Sequence, residues 1–170
     1  RRPGAGGQYY NVALLGRTRS ELEETPVLIR SKGNRAIVLV ADTSNDRQME
    51  EAFAQAKDAF GRLDFVFANA GINGTWAPLD DLTYEEWNET NSINLGGTFL
   101  TLHYAIPLMK RSGGSIAITS SINGTRAFTT PGAAAYSTTK GGQLSLGLMA
   151  ALELAKHRIR VNVICPGAIE

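Results

Sequence analysis

Five short apolar runs rich in β-branched residues, separated by longer stretches with helical periodicity, leave this 170-residue chain few ways to fold. The runs cover residues 12–15, 36–40, 63–68, 115–119 and 159–164. They are nearly continuous in apolar side chains instead of alternating, the pattern of strands covered on both faces. Parallel neighbours need crossover helices, and right-handed crossovers put helices on both sides of a sheet. A three-layer, doubly wound α/β architecture with a parallel sheet is therefore expected.

The intervening segments carry the ends such helices need. Residues 46–60 space Met49, Ala52, Phe53, Ala56 and Phe60 along one face, and Gly61 follows as a C-terminal stop. Thr83 and Glu86 have capping-box spacing, which opens a helix expected to run over 83–111, as far as Gly113 and Gly114. The glycines Gly96 and Gly97 inside it point to close packing or a distorted turn. A third helix, 134–157, shows Leu144, Leu148, Ala151, Leu152 and Ala155 on one stripe. Between the first two runs Pro26 falls inside the expected helix, where it would remove a hydrogen bond and kink the chain.

Length supports one domain, residues 1–170, and no repeats or linkers divide it. With 43% hydrophobic residues, a formal net charge of +1 and scattered basic side chains, the chain has no electrostatic footprint for nucleic acid or a membrane surface. No apolar stretch reaches membrane-helix length, and the one cysteine, Cys165, lies in an apolar run as a small hydrophobe. The expectation is a soluble cytoplasmic protein whose partners are small molecules. His103 and His157 lack metal-type partners at suitable spacing, so no metal site is expected. Trp76 and Trp87 flank the loop before the long helix and either anchor it or line a pocket.

The chemistry concentrates late in the chain. Tyr136 and Lys140 are four residues apart near the start of a helix, so both project from one face. An ammonium beside a phenol favours the phenolate, which would make Tyr136 a general acid/base. Such a pair is a short motif that also arises by chance. Upstream, the run 115–119 leads into Ser120 and Ser121, putting a hydroxyl at the C-terminal edge of the sheet, where open α/β folds bind ligands. A serine there can cap a loop, or donate to a carbonyl oxygen that is gaining charge.

Taken in order, these and other segments resemble the short-chain dehydrogenase/reductase family. Tyr136-Ser137-Thr138-Thr139-Lys140 matches its catalytic motif, and Thr119-Ser120-Ser121 its serine motif. Asn69-Ala70-Gly71 matches the Asn-Asn-Ala-Gly signature, with Ala68 in place of the first asparagine. Asn94-Leu95-Gly96-Gly97-Thr98-Phe99 matches the segment with the catalytic asparagine, and Arg160-Val161-Asn162 with Pro166-Gly167 the strand and turn that close over the nicotinamide. The resemblance implies a Rossmann-like fold and a carbonyl–alcohol oxidoreductase in which Asn94, Ser121, Tyr136 and Lys140 are catalytic. Tyr136 would exchange a proton with the substrate oxygen, Lys140 would also hold the nicotinamide ribose, Ser121 would steady the oxygen, and Asn94 would hold a water linking Lys140 to solvent.

For the cofactor, the resemblance implies contacts from Arg17, Asp42, Thr43, Asn69, Ala70, Gly71, Tyr136, Lys140, Pro166, Gly167 and Ile169. Gly16 stands where an acidic residue would favour NAD, and Arg17 suits a 2′-phosphate, so NADP is preferred over NAD. Asp42 resembles the aspartate that touches adenine; it could equally be the N-cap of the next helix. Asn94 could also be a surface asparagine tolerated in mid-helix. A homodimer or homotetramer of the full-length form is implied.

The family pattern is expected to be incomplete here. Its first strand, glycine-rich turn and helix are missing, Gly4-Ala5-Gly6-Gly7 reads as a loop remnant, and the chain stops short of the substrate lid and last strand. Since the absent strand lies at the centre of the family's order, an open internal edge is expected. The segment from Ser121 to Tyr136, with Asn123, Arg126 and Thr130, is about two residues longer than usual and should shape the substrate pocket. The other reading is a catalytically impaired fragment that acts only through subunit association.

Overall fold

The computed structural model describes residues 10–125 and 131–167. Its elements run β1 (Val12–Gly16), α1 (Arg19–Leu22), α2 (Glu24–Ser31), β2 (Ala36–Val40), α3 (Asp46–Phe60), β3 (Phe65–Ala68), α4 (Tyr84–Asn91), a π turn (Ser92–Gly96), α5 (Gly97–Met109), β4 (Gly114–Thr119), a 3₁₀ turn (Ile122–Gly124), α6 (Ala134–Leu154), a 3₁₀ turn (Ala155–His157) and β5 (Ile159–Ile164). Each expected strand is present, within two residues of its expected ends. All pairings are parallel: Val12 faces Ala36, Phe65 faces Ser115, and Gly114 faces Ile159.

The strands form two sheets, β1–β2 and β3–β4–β5. Between the free edges of β1 and β3 lies a cleft of about 280 Å³, lined by Ala13, Leu15, Phe53 and the whole of β3. This is the open internal edge expected of the family's strand order without its centre. The apolar core is split accordingly. One cluster joins Val66, Ile116, Ile118 and Ile159 to Leu102, Ala105 and Met109 of α5 and to Ala150 and Leu154 of α6. The other joins Leu39 and Ala41 to Met49, Ala52 and Ala56 of α3, and Phe53 touches both. Strand β3 alternates, with Val66 and Ala68 buried but Phe65 and Phe67 more than half exposed. Its apolar run was read as covered on both faces, and only one face is.

Three local expectations are corrected. The helix around Pro26 is two short pieces, and Pro26 sits in the first turn of α2, where its missing N–H would have no intrahelical partner anyway. The helix expected over 83–111 starts as foreseen, with Thr83 and Glu86 in a reciprocal capping box, but a π turn interrupts it at Ser92–Gly96. Gly97 explains part of this: a Cβ there would lie 2.8 Å from Thr43 Oγ1, so α5 approaches the loop after β2 more closely than any side chain allows. Finally, the N-cap of α3 is Asn45, whose carboxamide accepts from Gln48 N, and not Asp42.

Candidate active site

The C-terminal ends of β3 and β4 are tied by Thr119 Oγ1, which donates to Asn69 Oδ1 at 2.9 Å. Beyond β4 the chain turns back: Ser121 N-caps the 3₁₀ turn by accepting from Asn123 N, and its hydroxyl donates to Asn123 Oδ1 at 3.1 Å. Pro166 holds the same turn, its carbonyl accepting from Ile122 N. The turn lies directly on α6, because a Cβ on Gly124 would come within 2.7 Å of the backbone of Lys140 and Gly141. Ser120 Oγ donates to Lys140 O at 2.7 Å from the same side.

On α6, Tyr136 and Lys140 share a face, with Lys140 Nζ 5.5 Å from the Tyr136 ring centroid. Lys140 is buried, and its ammonium donates to Thr119 O at 2.9 Å, one acceptor for three hydrogens. That burial pushes Lys140 below the usual lysine value.

Asn94, fully buried in the π turn, reaches across to the segment after β3. Its Oδ1 accepts from Ile72 N at 2.8 Å, and its Nδ2 donates to Ile72 O at 2.9 Å and Thr139 Oγ1 at 3.1 Å. The reading of Asn94 as a surface residue is thereby excluded. Gly71 makes the approach possible: a Cβ there would stand 3.0 Å from Asn94 Oδ1 and 3.6 Å from Lys140 Nζ. Four sequence-selected regions, around Gly71, Asn94, Ser121 and Lys140, thus converge on one edge of the three-stranded sheet.

The expected cofactor residues divide. Thr43, Asn69 and Ala70 line the cleft between the sheets, Asn69 and Ala70 being exposed and Thr43 largely buried against Gly97. Arg17 stands at the end of β1, mostly exposed, its guanidinium 3.9 Å from Asp42 Oδ2. The Asp42 carboxylate accepts from both the hydroxyl and the backbone N–H of Ser44, which hold it below the usual aspartate value, with Arg17 adding a smaller effect. Pro166 and Gly167 follow β5 beside the serine turn. Ile169, Gly4–Gly7, Arg126 and Thr130 lie outside the described residues. His103 packs edge-on against Tyr104 and beside Phe99, and Trp87 lines a shallow pocket with Leu79, Leu82 and Tyr84. No metal-binding cluster of His, Cys, Asp or Glu occurs among the described residues, and no described helix is long and apolar enough to cross a membrane.

Sequence reasoning missed Gln143. It is fully buried three residues beyond Lys140, with Nε2 donating to Asn94 O at 2.9 Å and Thr98 Oγ1 at 2.7 Å. The stripe expected to pack, Leu144, Leu148, Ala151, Leu152 and Ala155, is largely the outer face of α6 and its 3₁₀ end; the buried face runs through Thr139, Lys140, Gln143, Gly147, Ala150 and Leu154, so the apolar pattern pointed away from Gln143.

Parallel strands with their crossover helices, and polar side chains gathered at the strands' C-terminal edge, define a Rossmann-like α/β protein. Comparison narrows the class: the chain belongs to the short-chain dehydrogenase/reductase family, residues 7–170 matching the family model described as enoyl-(acyl carrier protein) reductase. A 3-ketoacyl-ACP reductase from Sinorhizobium meliloti 1021 is 56% identical, superposes with a TM-score of 0.91, and matches 94% of this chain and 63% of that one. The carveol dehydrogenase of Mycobacterium avium, solved in complex with NAD, has a TM-score of 0.84 at 31% identity, over 94% of this chain and 58% of that one. An NAD-dependent oxidoreductase of Mycobacterium tuberculosis (strain CDC 1551 / Oshkosh) is 36% identical over 155 residues, 90% of this chain and 55% of that protein. The chain thus spans between about half and two thirds of these relatives.

Proposed function

We propose that these residues form the proton-transfer half of an NAD(P)-dependent reductase or dehydrogenase that interconverts a carbonyl and an alcohol. The observation that carries this reading is the Lys140 ammonium, buried 5.5 Å from the Tyr136 ring with one acceptor for three hydrogens. Burying an under-satisfied cation is costly, and ionisable groups perturbed in this way cluster at functional sites.

The residues present suit a nicotinamide dinucleotide. Lys140 has hydrogens free for ribose hydroxyls, Thr43, Asn69 and Ala70 line a cleft at the strand ends, Gly71 keeps the floor open beside Lys140, and Pro166 and Gly167 stand next to the serine turn. When bound, the dinucleotide supplies or accepts the hydride at the substrate carbon. Tyr136 gives its proton to the substrate oxygen in reduction and takes it back in oxidation. The Lys140 ammonium steadies the phenolate left behind. Ser121 turns its hydroxyl from Asn123 Oδ1 toward the substrate oxygen as charge grows there. Asn94 fixes the Gly71–Ile72 backbone beside Lys140.

Arg17 is the proposed contact for a 2′-phosphate, which favours NADP; its long contact with Asp42 leaves the guanidinium able to turn. The substrate class is a small ketone or 3-ketoacyl thioester and the matching alcohol. Exposed Phe99, Leu148, Met149 and Leu152 on α5 and α6 suit association of copies into a homo-oligomer. A single cysteine suits the reducing cytoplasm.

Turnover decides the matter: a panel of ketones and a 3-ketoacyl thioester is offered with NADPH and with NADH, and nucleotide oxidation is followed by absorbance. Saturable reduction is expected, abolished in Tyr136→Phe with nucleotide binding retained. Unchanged turnover in that variant would remove Tyr136 as proton donor, and a preference for NADH would remove the role given to Arg17. If nucleotide does not bind at all, the proposed oxidoreductase reading fails for this chain, and the alternative of an impaired fragment that acts through subunit association gains.

A further inference from the structure

Gln143 is an expensive residue to keep where it stands. It is fully buried in α6, 45 and 49 residues in sequence from the groups it touches, and its Oε1 has no partner among the described residues. A leucine there would leave no orphan acceptor. The value of the carboxamide must therefore lie in its donors.

Nε2 donates to both Asn94 O at 2.9 Å and Thr98 Oγ1 at 2.7 Å. Thr98 Oγ1 passes its own hydrogen to Asn94 O at 2.7 Å, which closes a three-membered ring of hydrogen bonds. Asn94 O can only accept, so the opposite orientation of the carboxamide would set two acceptors against each other. The ring surrounds the carbonyl of the π turn's central residue, where the ordinary helical ladder is interrupted and a carbonyl takes side-chain donors instead. The surrounding glycines allow the contact: Gly142 admits the side chain of Leu95, whose carbons would lie 3.0 Å from a Cβ there.

We propose that Gln143 is a positioning residue, a clamp that locks the π turn so that the Asn94 side chain stays on Ile72 and Thr139, beside Gly71. The clamp works through one turn of α6: Lys140 and Gln143 are three residues apart on the same face. Lys140 sets the charge of the site while Gln143 sets the place of the asparagine beside it. The kinetic consequence rests on the function proposed above; the structural consequence does not.

The decisive variant is Gln143→Met, which keeps length and volume and removes both donors. Amide exchange of Ile72, whose N–H is held by Asn94 Oδ1, is read by NMR in the whole chain beside that of core amides such as Ile116. Gln143→Met is expected to speed Ile72 exchange by about tenfold, the effect of losing one hydrogen bond, with Ile116 unchanged. Turnover should fall by a similar factor at constant KM, since only the catalytic arrangement is disturbed. Thr98→Ser should preserve Ile72 protection and Thr98→Val should lose it; this pair decides the question should Gln143→Met fail to fold. Ile72 protection that is unchanged in a folded Gln143→Met, or in Thr98→Val, overturns the clamp. A wild-type chain without turnover would remove the proposed function, while accelerated Ile72 exchange would still uphold the clamp.

Discussion

The contact between the serine turn and α6 can be tested with one methyl group placed on either side of it. On the turn side, Gly124→Ala would put a Cβ 2.5 Å from Lys140 C, 2.6 Å from Lys140 O and 2.7 Å from Gly141 N. All three are backbone atoms in the middle of a helix and cannot rotate away. Carbon atoms settle at about 3.5–4.0 Å, so the turn must retreat by roughly 1 Å and strain the bonds of Ser121 and of Pro166 O. Overpacking of this kind costs about 1–3 kcal/mol. On the helix side, Gly141→Ala meets only Gly124 O at 3.5 Å and Gly124 Cα at 4.0 Å, ordinary contact distances. There the general gain of alanine over glycine inside a helix, about 1 kcal/mol, should prevail. Two variants of identical composition, facing each other, are thus expected to differ by about 2–4 kcal/mol. Urea unfolding followed by Trp76 and Trp87 fluorescence measures this. With a mid-range slope of about 2 kcal/mol/M, the midpoints should separate by roughly 1–2 M, Gly124→Ala below wild type and Gly141→Ala above it. A Gly124→Ala midpoint at or above wild type would refute the claim that backbone contact, and not loop flexibility, fixes the serine turn.

Burial lowers the Lys140 pKa, so the folded state sheds that proton first, and stability should rise with pH from the depressed folded value to the ordinary one near about 10.4. Lys140→Met lacks this term; thermal melts should show wild type gaining on the variant across that window, and parallel curves would contradict the assignment. Tyr104 donates to Asp46 Oδ1 at 2.6 Å and its pKa is raised to about 12, chiefly by that bond, so ultraviolet titration should show the Tyr104 phenol ionising near pH 12. The bond's contribution is held at lower pH and lost as pH rises through that value, and Asp46→Asn should bring the late phenol back toward the rest. At the acid end, the Ser44 hydroxyl is the main cause of the lowered Asp42 pKa, so Ser44→Ala should move the carboxyl's NMR titration midpoint upward.

The strands and most helix starts were legible because they depend on neighbours in sequence. Thr83 and Glu86 spell a capping box within four residues, and Gly61 ends α3 in the left-handed region at φ 73°. Asp42 and Asn45 show the limit of such reasoning. Both precede a helix, and the choice between them turned on Ser44, whose two hydrogen bonds draw the Asp42 carboxylate into a local turn of its own. The interruption at Ser92–Gly96 was hinted at by two glycines, but its form depends on Thr43 and Gln143, brought in from other elements. Gln143 itself read as one polar residue among many, since nothing within ten residues of it explains its burial. The candidate site residues were proposed from spacing, strand ends and motif resemblance; the hydrogen-bond partners around them were not legible, because those bonds span 20 to 50 residues.

The division of the sheet also bears on how the chain comes apart. The β1–β2 pair and α3 share one core and the other three strands share another, joined by Phe53, by the packing of α3 on α5, and by the Tyr104–Asp46 bond. With no strand-to-strand hydrogen bonds across the cleft among the described residues, the two lobes need not melt together. Amides of β1 and β2 should exchange in one cooperative opening and those of β4 and β5 in another, rarer one, so that this chain unfolds as two units coupled through the α3–α5 seam, with Phe53 shared by both cores.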